Sequence, residues 1–386
     1  MKAYNETLVR NRYAQKMAEK WHSEGMLTDG QLAEAQLIHA AVPYDPNLFI
    51  KIGLFVFALA CFFFGGSFVI LLVGEGNGLS ISITSFLYAI GVAFLLVHII
   101  QTKQLHFSGI DNALIYGVIG ATMPLIFQLY ESLNISELWI GVALCLPVLV
   151  LVVYSFGEPL VALGTFLCIL FIVASVLMKN PIGKALLPFA LMAVAAVFFM
   201  ITRKLGQKQT AFYWKEAIAW VNTAALAVFY ATGNYFVVRE VNAELNKLRA
   251  PSPEIAFAGL FWGFTFLIPV LYLYGGFRWR NRTLLLLGLL GLVASVLTYR
   301  QYHAVLPLEW GLLLGGALVT VCAFVLIRGL KTPKYGFSYA PEPDGDERRA
   351  LEMAVVSQMT KNMHSTDNGV EFGGGDFAGG GAGEKY

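Results

Sequence analysis

The chain has 386 residues, of which 57% are hydrophobic and 13% charged, and its formal net charge is +2. A soluble domain carries about 25% charged residues, so this composition, with a mean hydropathy of +0.64, belongs to the membrane class and excludes a basic nucleic-acid-binding surface.

The first 48 residues mix charge and polarity, lack the apolar run of a signal peptide and read as two helices. The first, Asn5 to about Glu24, carries Met17 and Trp21 one turn apart on an apolar stripe, and Gly25 ends it. Thr28-Asp-Gly-Gln31 has the spacing of a capping box, which predicts a second helix to about Ala41, stopped by Pro43 and Pro46. The stretch EKWHSEGMLTDGQLAEAQ, residues 19 to 36, resembles the helical hairpin that opens some bacterial predicted membrane protein families of unknown function. That resemblance implies a bacterial inner-membrane protein and brings no catalytic residues with it.

Phe49 to Val73, FIKIGLFVFALACFFFGGSFVILLV, is the first spanning stretch. At about 1.5 Å per residue it crosses a hydrocarbon core of about 30 Å, and its one charge, Lys51, lies near enough to the end to snorkel. Similar segments follow at 80–100, 111–130, 138–154, 159–178, 183–202, 215–237, 254–275, 283–299 and 307–328. The fold class is therefore all-α, a polytopic bundle of about ten spans. Residues 1–47 form the hairpin, 48–330 the bundle and 331–345 a linker. An amphipathic helix follows at 346–364, with Leu351, Val355 and Met359 on its stripe, and 365–386 is a Gly-rich tail that reads as disordered. Lys and Arg in the short loops favour both termini inside the cell, with Lys103, Arg203, Lys204, Lys208, Lys215, Arg278, Arg280 and Arg282 in the inner loops.

Asp111, Glu137, Glu158, Glu216, Glu254 and Glu309 stand at the N-terminal ends of spans, where capping and the helix dipole account for acidic residues without a substrate. No ionisable residue lies at the middle of a span, which argues against a proton-driven pump. The prolines at 124, 147, 188 and 269 are expected to interrupt their spans, and Gly259–Gly263 and Gly311–Gly315 have the GxxxG spacing that lets helices of one bundle approach closely. Cys61, Cys145, Cys168 and Cys322 fall in separate apolar segments, and the histidines lack ligand spacing, so neither a metal nor a cofactor is expected.

These features point to a non-enzymatic integral membrane protein whose cytoplasmic helices dock a protein partner or each other, with Met17, Trp21, Leu351, Val355 and Met359 as the docking residues. The lipid bilayer is the partner that composition implies, and nucleic acid is not one. An alternative is a transporter or flippase for an uncharged or lipid-like substrate, its pathway near Pro124, Gln128, Asn222, Asn234 and Pro269. A membrane-embedded enzyme ranks last, because no nucleophile–base pair or Gly-x-Ser-x-Gly elbow is visible.

Overall fold

The computed structural model describes residues 2–303 apart from 24, 25, 74, 75, 135, 249–251 and 280, together with 313, 316, 317, 320, 321, 324 and 328. Among the described residues the chain is helical, without strands. Helices α1 (Glu6–Ser23) and α2 (Asp29–Ile38) precede α3 (Leu48–Val73), α4 (Gly78–Lys103), α5 (Ile110–Ser132), α6 (Leu138–Phe156), α7 (Pro159–Leu177) and α8 (Pro181–Gly206). A 3-10 turn, Gln209–Trp214, leads into α9 (Lys215–Gly233), then α10 (Tyr235–Leu245), α11 (Ala258–Trp279) and α12 (Arg282–Tyr302). Eight of these, α3 to α8 with α11 and α12, are long and apolar enough to cross a membrane, and the α9–α10 pair makes a ninth if counted as one span. The chain is a multi-pass membrane protein. The last span expected, at 307–328, lies almost wholly outside the described residues, and the 346–364 helix entirely so.

The helices run up and down. The turns before α5, α7, α9 and α12 share one face with α1 and α2, here the near face. The connections before α4, α6 and α8, with α10, lie on the far face. Helix α5 packs on α3 and α4, α6 joins α5 to α7, and α9 packs on α7, α8 and α11.

The sequence readings need three corrections. The span expected over 215–237 stops at Gly233, and the helix axis turns by 74° into α10. A 19-residue helix already covers about 28 Å, and Arg239, Glu240 and Glu244 of α10 would be costly in hydrocarbon. Asn234 makes the turn in extended conformation, its side-chain oxygen accepting the Val237 N–H at 3.3 Å. Second, helices α5, α6, α8 and α11 run unbroken through Pro124, Pro147, Pro188 and Pro269. A proline removes one donor, but in lipid the remaining backbone groups have no water to turn to and keep the helix. Third, the close approach expected at Gly259 and Gly263 is not made within 4 Å among the described residues, and Gly311 and Gly315 lie outside them. The close approach falls at Gly276, Gly288 and Gly291, where α11 and α12 interlock against Leu285, Leu273 and Pro269.

Two near-face glycines have left-handed backbones, Gly109 with φ 99° and Gly157 with φ 65°. A Cβ on Gly109 would overlap the carbonyl oxygen of Lys51 in α3, and one on Gly157 would stand 2.8 Å from the Tyr213 carbonyl oxygen. Gly109→Ala should therefore lower the stability of the detergent-solubilised protein by about 2 kcal/mol or more, from backbone strain and steric overlap together. Gly91→Ala, in an open helical position of α4, should be neutral or stabilise by up to about 1 kcal/mol. Urea or thermal unfolding of the two variants checks the contrast.

Candidate docking site on the near face

Residues 2–4 form the root of the site. Asn5 caps α1, its side-chain oxygen accepting from Thr7 N at 3.0 Å and Leu8 N at 3.4 Å, so the chain before it is free to leave the helix axis. It enters the bundle. The Ala3 N–H donates to the Ser155 carbonyl at 2.9 Å, and the Tyr4 N–H to the Tyr213 hydroxyl at 3.3 Å. Tyr213 in turn donates to the Ser155 carbonyl. The Tyr4 ring is buried against His106, Phe107 and Phe156, with centroids at 4.9, 5.7 and 6.1 Å. Lys2 closes the entrance, paired with Glu6 at 2.9 Å and lying 4.6 Å over the Trp214 ring.

At the floor the Tyr4 hydroxyl donates to Asp111 Oδ2 at 2.7 Å. Asp111 has no solvent exposure, and a buried carboxylate is tolerated only where its oxygens are hydrogen-bonded. The Phe107 N–H, the Ser108 N–H and the Ser108 hydroxyl supply three more donors, at 2.7, 2.8 and 3.0 Å. Burial, then the Asp111 charge, pushes the Tyr4 phenol well above its ordinary range, so Tyr4 keeps the proton it donates. Glu158 is the neighbouring buried carboxylate. It caps α7, accepting from Leu160 N at 2.6 Å and Val161 N at 3.2 Å, and takes further bonds from Asn112 Nδ2 at 3.2 Å and the Tyr116 hydroxyl.

A second attachment follows α2. Asp45 meets Lys51 of α3 at 2.6 Å, Arg12 of α1 at 3.2 Å and Lys16 of α1 at 3.6 Å. Burial would raise the Asp45 carboxyl, but Lys51, Lys16 and Arg12 outweigh it and hold the group below the usual carboxylate range. Lys51, the one charge of the first span, thus pairs with a carboxylate. The Tyr44 N–H donates to the Gln104 carbonyl at 2.8 Å, tying this strap to the end of α4. Between the two attachments, Lys215 of α9 donates to the Tyr13 hydroxyl at 3.0 Å.

Sequence-predicted residues fall as follows. Met17 and Trp21 are buried with Ala14, Ala18 and Ala35, so α2 covers the stripe of α1. Thr28 and Gln31 form both arms of the capping box. Leu351, Val355 and Met359 lie outside the described residues. Pro124 is exposed on α5, and Gln128 sits near the far end of that helix, its Oε1 3.5 Å from where a Gly78 Cβ would be. Asn222 is elsewhere, on α9, accepting the Thr202 hydroxyl at 3.0 Å. Helix α5 is not among the main packing partners of α9, and the structure does not bring Gln128 and Asn222 together. Asn234 and Pro269 do fall in one region. Asn234 donates to Tyr230 at 3.0 Å and Thr298 at 3.1 Å, Tyr230 donates to the Gly291 carbonyl at 2.8 Å, and Pro269 packs by Gly291.

Of the acidic residues at span starts, Glu158 is the one among the described residues whose carboxylate caps its helix, and Glu309 lies outside them. Glu137 instead pairs with Lys179 at 2.9 Å, Glu254 accepts the Tyr235 hydroxyl at 2.7 Å, and Asp111 holds the preceding loop and Tyr4. Tyr4, Asp45, Gly109 and Gly157 carry the site and were not singled out from sequence. The signal available was a glycine two residues before an acid at the entry of α5, and immediately before one at α7.

Tyr4→Phe should destabilise the near face by about 1.5–3 kcal/mol, the range for a hydrogen bond to a charged group, read as earlier urea unfolding. Burial lowers the His106 imidazole to about 4, a shift that Lys16 and Lys51 reinforce and Asp111 and Asp45 oppose. The unfolded imidazole takes a proton near pH 6.5, so stability is full above that pH and declines as pH falls toward 4. Asp45, depressed below its ordinary value, adds a further loss only at lower pH. Urea midpoints at pH 7 and pH 5 should differ in the wild type and differ less in His106→Asn.

Comparisons of the chain with protein-family models, with curated proteins and with solved structures find no match.

Proposed function

We propose that this chain is a non-enzymatic bacterial inner-membrane protein whose N-terminal hairpin is a fixed docking platform on the cytoplasmic face. The observation that carries the reading is the double attachment, Tyr4 on Asp111 before α1 and Asp45 on Lys51 after α2. A tethered module needs one flexible linker; a module held at both ends presents its outward surface in one orientation. That surface belongs to α2, since the α1 stripe with Met17 and Trp21 is covered. Helix α2 exposes Ala33, Gln36 and Leu37, with Leu37 at 76% relative exposure and Met26 beside the helix start also exposed. Orientation follows from charge: described near-face residues at helix ends and turns include Lys103, Arg203, Lys204, Lys208, Lys215, Arg278 and Arg282, against Lys179, Lys184, Arg239, Lys247 and Arg300 opposite.

A photo-crosslinking residue at Leu37 should yield a discrete protein adduct in cells, and Tyr4→Ala should weaken it several-fold. Absence of an adduct from Gln36, Leu37 and Met26 alike, in protein that folds normally, overturns the platform. A cysteine placed at Leu37 should also react with an impermeant maleimide only in inside-out vesicles; labelling from outside would reverse the orientation.

One observation favours transport of an uncharged substrate as a second reading. Tyr230, Asn234 and Thr298 line an opening of about 670 Å³ between α9 and α12 on the far-face half. Their polar atoms bond to one another and to Gly291, Ser295 and Val237, which suits helix packing as well as a pathway.

A further inference from the structure

The far face holds a groove of about 590 Å³ between the first turns of α8 and the turned helix α10. Its walls are apolar, with Leu187, Pro188 and Leu191 on α8, Val238 and Val241 on α10, and Phe261 on α11. The volume is within the range of ligand pockets, about 300–1,000 Å³. The rim is polar and basic. Gly183, whose Cβ would overlap the Leu177 carbonyl oxygen, pins the α7–α8 turn so that Lys179 and Lys184 stand at the same opening.

The two lysines differ. Lys179 is paired with Glu137 at 2.9 Å. Lys184 has a single described polar contact, donating to the neutral Asn246 Oδ1 at 3.2 Å. The Asn246 amide nitrogen is engaged with Asn242 O at 2.9 Å and Asn242 Oδ1 at 3.0 Å. Glu254, also at the rim, accepts from Tyr235 and lies 3.8 Å from Arg239. The rim therefore offers the ammonium of Lys184, with donors to spare, directly above an apolar floor.

We propose that this groove binds an anionic phospholipid, an acyl chain lying along Leu187, Pro188 and Leu191 and the phosphate taking the Lys184 ammonium. The placement fits the lipid: α8 begins at Pro181 and runs into the membrane, so the rim lies at headgroup level and the floor at acyl depth. A soluble anion would find Lys184 beside the Glu137-paired Lys179 and would leave the apolar floor unfilled. A zwitterionic lipid presents its own cation beside the phosphate, so it gains less from the Lys184 ammonium than a lipid with net negative charge.

The test uses the full chain in detergent, titrated with dioleoyl phosphatidylglycerol, dioleoyl phosphatidylcholine or inorganic phosphate, and reads lipid adducts by native mass spectrometry and Tm. Phosphatidylglycerol should bind at least about fivefold more tightly than phosphatidylcholine and raise Tm, and inorganic phosphate should leave Tm unchanged. Lys184→Gln should remove the preference for phosphatidylglycerol. Val241→Trp, filling the groove from an exposed position, should weaken both lipids. Lys208→Gln, on the opposite face, should behave as wild type. Equal binding of the two lipids, a preference that survives Lys184→Gln, or stabilisation by inorganic phosphate alone would overturn the proposal.

Discussion

A carboxylate taken wholly out of water costs several kcal/mol unless its oxygens are bonded, and that requirement at Asp111 shapes the near face. Among the described residues no cation lies within salt-bridge distance of it; compensation comes from four donors and the N-terminal end of α5. Three donors come from Phe107 and Ser108, which forces the chain between α4 and α5 to fold tightly and demands the left-handed Gly109 against α3. The fourth comes from Tyr4, more than a hundred residues away in sequence. Meeting that need draws residues 2–4 into the bundle, and with them the start of α1.

The rest of the near face follows from the same insertion. Ala3 and Tyr4 reach Ser155 and Tyr213, which brings the α6–α7 turn and the 3-10 turn before α9 to one point. Gly157 lets the first of these pass close to the backbone of the second. With α1 fixed, Arg12 and Lys16 are positioned to meet Asp45, and the hairpin becomes part of the bundle's surface. Helix α2 then covers the Met17–Trp21 stripe of α1, an arrangement in which Trp21 stabilises the hairpin by about 2–3 kcal/mol of burial and leaves the outward side of α2 for other contacts.

Helices of this kind are legible because hydrocarbon imposes length and composition on each of them independently. The segments drawn from Phe49 to Tyr299 therefore correspond to helices, and the Thr28–Gln31 cap is local chemistry read correctly. The failures came where distant residues decide. Asn234 and Gly233 look like ordinary members of a span until the charges of α10 make continuation unfavourable. The prolines look like breaks, but a helix in lipid keeps its bonds around them. Tyr4 carried no periodic signal at all, since its importance lies in one hydroxyl facing a carboxylate that sequence spacing assigns to helix capping. Gln128 and Asn222 share a polar character and nothing else, because depth in a span says little about which neighbour a helix turns it toward.

The near face depends on residues 2–4 being bound inside the bundle through Asp111. Amide hydrogen exchange of the full chain measures this directly at Ala3, Tyr4, Phe107 and Ser108, whose N–H groups all donate in the site. Protection should be strong at all four and should fall together when Asp111 is replaced by Asn, with the centres of α8 and α9 unaffected. Rapid exchange at Ala3 and Tyr4 in the wild type, alongside protected Phe107 and Ser108, would contradict it: the carboxylate would then organise its own loop without holding the N-terminus.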